Sequence, residues 1–182
     1  MTATVKHIER AVPPDREDHL VAGFAALAIA IHILEAAFPS PLPGVKPGLA
    51  NVVTVVIYLR YGFTTAVWVA TLRVLVGSLL IGTFLSPTFL LSAAGACASL
   101  IALGLVGGLG PALVGAVGLS LVAALAHMSG QITVAYLLFI PHPALLSLAP
   151  ILLTAALVFG TVSGLIAASV DRLLSEETRT HP

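Results

Sequence analysis

A few polar side chains stand out in an otherwise apolar chain: His32, Glu35, Lys46, Asn51, Arg73, His127 and Gln131. Polar groups inside a long hydrophobic stretch are costly, so each is a functional-site hypothesis. Arg73 and Lys46 could give positive charge to an anionic or polar small molecule. Asn51, His127 and Gln131 could give directional hydrogen bonds. His32 and Glu35 could couple movement to an ion gradient, and Glu35 could pair with Arg73 or with Lys46. His32 and Glu35 are three residues apart, and His127 and Gln131 four apart, so each pair shares one face of a helix.

Plainer roles compete with these. Glu35 and Arg73 could be a structural ion pair, and His127 and Gln131 could only bridge helices. A histidine near an interface can simply be hydrated. Lys46 could snorkel, and Asn51 could mark a helix start. Cys97 lies in an apolar run and has no second cysteine to pair with, so it reads as a small packing residue.

Lipid is the solvent that positions these groups. Of 182 residues 58% are hydrophobic and only 9% are charged, and the mean hydropathy is +1.08. A soluble domain carries about a quarter charged residues. Between Leu20 and Val170 the charges are Glu35, Lys46, Arg60 and Arg73 alone. A formal net charge of +0 argues against a nucleic-acid partner. No Walker loop, paired-cysteine motif or Asp-rich diphosphate motif is present, and the nearest acidic cluster is Asp15 to Asp18. Neither a cofactor nor a metal is expected.

The apolar pattern predicts an all-α integral membrane protein, a bundle of six transmembrane helices. The spans fall at about 20–38, 49–58, 63–82, 88–106, 112–140 and 144–170. The second is short for a crossing. Residues 1–19 read as a soluble tail with no signal peptide, residues 20–170 as the membrane domain, and residues 171–182 as a tail in which Asp171 and Arg172 mark the exit of the last span and Ser175 to Pro182 are frayed. Prolines 39, 41, 43 and 47 exclude a regular helix between the first two spans. Arg60-Tyr61-Gly62, Thr83–Pro87, Gly107–Pro111 and Pro141-His142-Pro143 mark the other turns. With six spans both termini share a side. The positive-inside rule makes that side, with the 60–62 turn, cytoplasmic, because Lys6, Arg10, Arg16, Arg60, Arg172 and Arg179 fall there and only Lys46 falls opposite. The polar residues then lie mostly in the outward half, as in a cavity open to the outside of an inner (plasma) membrane. Ala22, Ala26 and Ala30 repeat every four residues, a small-residue ridge that serves internal packing or the docking of another membrane protein.

Several segments carry a family resemblance: Pro41 to Thr54 with its Pro-Gly-x-Lys-x-Gly-Leu-Ala-Asn run, Leu72 to Ser78, Phe84 to Ser92, and Ala126 to Gln131. Together they resemble the Gx transporter family, whose members are also labelled heptaprenyl diphosphate synthase component I. Pro47 departs from the apolar residue expected there. That family is similar to the substrate-capture S-components of energy-coupling factor transporters. The resemblance implies a six-helix fold and an outward-facing site capped by the loop after the first helix. It also implies a membrane coupling protein docked on the Ala22, Ala26, Ala30 ridge, with an ATPase module behind it. By the same resemblance Lys46, Asn51, Arg73, His127 and Gln131 are the ligand contacts. Two functions follow: transport of a small polar or anionic molecule, or a non-catalytic membrane subunit of prenyl diphosphate synthesis, with Arg73 and Lys46 holding a diphosphate.

Overall fold

The structure is a computed structural model that describes residues 16–37, 49–108 and 111–180. Among them there is no strand. Five long helices follow one another: α1 (Arg16–Ala37), α2 (Leu49–Ile81), α3 (Pro87–Gly107), α4 (Pro111–Val134) and α5 (Pro143–Thr180), with a π-helical turn at Ala135–Phe139 closing α4. All five are long and apolar enough to cross a membrane. Their outward faces carry Trp68, Leu79, Leu105, Leu137 and Leu173, each more than half exposed. Such a surface suits hydrocarbon and not water. The chain is a multi-pass helical membrane protein.

Residues expected to form the second and third spans belong to one element, α2. Its backbone breaks at Gly62, where φ is 86° and ψ is −180°. That left-handed φ is open to glycine at little cost, so the expected turn at Arg60-Tyr61-Gly62 is present as a break between two arms. Tyr58 and Phe63 flank it edge to face, with ring centroids 6.3 Å apart. The two tails also differ from expectation. Helix α1 begins at Arg16, inside the expected soluble tail, and α5 runs to Thr180 where a frayed tail is expected. Neither stretch contains proline or glycine, and a helix satisfies its own backbone in water as well as in lipid.

The other boundaries follow local chemistry. Ser86 caps α3 by accepting a hydrogen bond from the Phe89 N–H at 3.4 Å, and Pro87 takes the first helical position. The His142 ring accepts from the Ala144 N–H at 3.1 Å at the start of α5.

Two apolar clusters hold the bundle. Ala25 and Ala28 of α1 meet Val53, Ile57, Ala66 and Val69 of α2. Val52, Val55 and Val56 of α2 meet Leu103 of α3, Leu119 and Ala123 of α4, and Ala167 of α5. The α4–α5 seam is tight. A Cβ on Gly164 would lie 2.7 Å from the Val117 Cα, and the buried Ser120 hydroxyl donates to the Gly160 carbonyl at 2.9 Å.

Candidate functional site

The structure brings four of the expected polar residues together. Glu35 and Arg73 are each only 7% exposed, and Arg73 lies within reach of the Glu35 charge. His127 is hydrogen-bonded to the Gly95 backbone and close enough to feel the charges of Arg73 and His32. Helices α1, α2 and α4 therefore each send a charged or imidazole side chain toward one level of the bundle, and α3 supplies a wall.

Glycines make that approach possible. A Cβ on Gly95 would lie 2.6 Å from the His127 Nε2 and 2.7 Å from its Cε1, so the ring occupies space that any other residue would fill. On the α1 side, a Cβ on Gly77 would lie 3.1 Å from the His32 Cδ2. Both imidazoles lie against helix backbone, which fixes where their nitrogens can reach.

The remaining expectations divide. Asn51 and Gln131 are half-buried, and no described hydrogen bond or ion pair ties either one to the cluster. Lys46 lies outside the described residues, with the whole proline-rich loop. Ala22, Ala26 and Ala30 all face outward, while Ala25 and Ala28 turn into the core.

Arg73 is the chemically unfinished member. Among the described residues its Nε has no hydrogen-bond partner, although the side chain is buried. A buried charged donor left unpaired is among the costlier features a fold can carry. Two buried hydroxyls share this condition, the Oγ1 of Thr54 and the Oγ of Ser99. Sequence reading passes over both, because hydroxyls in membrane helices usually satisfy themselves on the preceding turn. Thr65, Ser78, Thr133, Thr154, Thr161 and Ser169 do that here. The contiguity of Thr54 with the Asn51 motif was the only available signal.

Sequence reading also treats Arg60 and Asp171 merely as marks at span ends. In the fold they bind each other. The Arg60 Nε donates to the Asp171 Oδ1 at 2.8 Å, and its guanidinium also donates to the Asp171 carbonyl. This contact ties the α2 break to α5.

A largely apolar groove lies between α2 and α3, lined by residues that include Ala70, Thr71, Val74, Phe89, Ala96 and Leu100. Among the described residues no group of three or more His, Cys, Asp or Glu side chains could hold a metal ion.

Comparison with known proteins gives one family. No curated protein and no solved structure matches the chain. The family described as heptaprenyl diphosphate synthase component I matches over residues 24–170, a stretch that contains α2, α3 and α4 whole and every described polar residue of the cluster. The chain belongs to the heptaprenyl diphosphate synthase component I family.

Proposed function

We propose that this protein captures a small polar or anionic molecule within its helix bundle and passes it across the membrane with the help of an energising partner. One observation carries the reading: a buried arginine, facing a buried glutamate and two histidines, keeps a donor nitrogen without a partner among the described residues. An arginine at the centre of a membrane helix costs roughly 2.5–3.5 kcal/mol on insertion scales. A purely structural pair would recover that cost by closing its hydrogen bonds, as Arg60 does with Asp171. Arg73 leaves one open, which suits a ligand that arrives and departs.

In this reading the two arms of α2 each cross the membrane, giving six crossings and an S-component-like bundle. Two contacts support it. Tyr58 and Phe63, on either side of Gly62, both approach the same end of α3, at Gly107 and Gly104. Val52 and Val55 on one arm cluster with Leu103, and Ala70 and Val74 on the other line a groove with Ala96 and Leu100, so residues well to either side of Gly62 still lie beside α3. Both termini and the Gly62 break lie on the cytoplasmic side of the inner membrane. Asn51, Gln131, Lys46 and His32 complete the ligand site, and the outward ridge of Ala22, Ala26 and Ala30 receives a membrane coupling protein.

The family description favours a second reading, a non-catalytic or anchoring membrane subunit of isoprenoid diphosphate synthesis. Arg73 would then hold a diphosphate, and the apolar groove between α2 and α3 would take a prenyl chain.

Native mass spectrometry of the full chain in detergent, beside Arg73→Gln, tests the site that both readings share. The expected result is a small-molecule or lipid adduct on the wild type that the variant lacks. The mass of the adduct separates the two readings. If Arg73→Gln does not fold, Arg73→Gln/Glu35→Gln removes both charges and replaces it. Identical spectra without an adduct would reduce the cluster to a structural ion pair.

A further inference from the structure

We infer that Thr54 and Ser99 are ligand-binding residues of the same site, and that together with Arg73 they select a phosphate oxyanion, a group with several free acceptor positions. The inference rests on the ligand-capture reading above and adds to it the chemistry of the ligand.

The three side chains form a distinct class. Thr54, Ser99 and Arg73 are 2%, 3% and 7% exposed, and Thr54 Oγ1, Ser99 Oγ and Arg73 Nε are the buried side-chain polar atoms left without a partner among the described residues. Nothing in helix geometry forces this on the hydroxyls. Thr65 on the same helix as Thr54 donates to the Tyr61 carbonyl at 3.1 Å, and Ser78 donates to the Leu75 carbonyl at 2.8 Å.

Their placement is shared as well. Thr54 sits between Val53, which packs with Val69 and α1, and Val55, which packs with Leu103. It therefore lies where the two apolar clusters meet. Ser99 is on the buried face of α3, between Gly95 and Leu103. Gly95 is the residue against which His127 lies, and the His127 ring feels the Arg73 charge. Arg73 itself is one turn beyond Val69, the partner of Val53. Thr54 is thus one residue from members of both clusters, Ser99 is one helical turn, or ~5.4 Å of rise, from both Gly95 and Leu103, and Arg73 is one turn from Val69 of the α1–α2 cluster.

The chemistry of these atoms narrows the ligand. An arginine Nε–H can only donate, and each hydroxyl has a proton to give. The hydroxyls can also accept, so the Arg73 Nε–H is the atom that demands an acceptor, and a group with several lone pairs satisfies all three at once. Charge-assisted bonds to an oxyanion do this and are the strong ones in a dry site. A cationic ligand would leave the Arg73 donor as it is.

Thermal-shift titration of the full chain in detergent tests the inference. The probes are inorganic pyrophosphate and farnesyl diphosphate, with sodium chloride at equal ionic strength as control. The proteins are wild type, Thr54→Val/Ser99→Ala and Arg73→Gln. At least one diphosphate should stabilise the wild type, with the double variant binding it about a hundredfold more weakly, the loss expected for two hydrogen bonds to a charged group. Without ligand the double variant should melt no lower than wild type, because its hydroxyls have no bond in the fold to lose. A response to pyrophosphate points to a free anion, and a response to farnesyl diphosphate alone points to a lipid headgroup; either supports the inference. Equal affinity in wild type and double variant, with loss only in Arg73→Gln, would overturn the role of the hydroxyls and leave the ligand site standing. A clear drop in the ligand-free melting temperature of the double variant would overturn it too. No response of the wild type to either probe would remove both the inference and the anionic form of the capture reading.

Discussion

The two arms of α2 carry one arginine each and treat it in opposite ways. Arg60, beside the Gly62 break, donates to both a side-chain and a main-chain oxygen of Asp171. Arg73, on the other arm, is more deeply buried, has Glu35 nearby, and among the described residues still leaves its Nε unpaired. Arg60 is 19% exposed at its side chain and Asp171 is 37% exposed, so water softens the cost of that pair. Arg73 has no such relief. The cheaper charge has its Nε bonded and, among the described residues, the costlier one does not. A fold optimised only for stability would show the reverse, and the proposed function rests on this difference: the Gly62 end holds the bundle, and the Arg73 level is the proposed ligand site.

The sharpest way to break the comparison is to show that the arms are not separate crossings. With Cys97 replaced by alanine, Tyr61→Cys and Phe84→Cys should react with a membrane-impermeant thiol reagent from opposite sides of sealed vesicles, an all-or-none difference. Both positions are more than two-fifths exposed. Labelling of both from one side would contradict six crossings.

A smaller effect is expected at the wall of the site. Gly95→Ala places a methyl 2.6–2.8 Å from three atoms of the His127 ring, so the ring must move. Overpacking of this kind costs about 1–3 kcal/mol, and any ligand that bonds His127 should bind roughly tenfold more weakly. A melting curve paired with the ligand titration checks both. An unchanged affinity would remove His127 from the site.

The smallest effect belongs to the Gly62 end. Asp171→Asn keeps the main-chain bond and removes the ion pair, for a loss of about 1 kcal/mol or less. Ligand affinity should not change. If Asp171→Asn impaired binding as much as Gly95→Ala, the two ends of the bundle would not be separate in role.

Much of this was legible from hydropathy, and the remainder was not, for physical reasons. Lipid forces helices, so the all-helical fold and most turn positions follow from where apolar runs meet proline and glycine. Ser86-Pro87 and Pro141-His142-Pro143 are examples. The depth argument places the polar residues, Asn51 and Gln131 among them, mostly in the outward half; the fold brings His32, Glu35, Arg73 and His127 together and ties no described bond from Asn51 or Gln131 to them. Depth says nothing of a partner across the bundle, so the Arg60–Asp171 contact is invisible in it. Thr54 and Ser99 were hidden for another reason: composition cannot tell a hydroxyl bonded to its own helix from one that is not. Gly95 looks like any glycine in an apolar run until the His127 ring is seen against it. Helix continuity past Asp171 escaped because charge marks where lipid ends, not where a helix does.

Arginine-selective 15N NMR of the full chain in detergent compares the two arms in one spectrum. The Arg73→Gln variant identifies the Arg73 Nε resonance and Asp171→Asn identifies that of Arg60. On addition of the co-purifying ligand, or of the diphosphate that stabilises the protein, the Arg73 resonance should move and the Arg60 resonance should stay. A stationary Arg73 signal, or equal movement of both, would contradict a ligand site at Arg73.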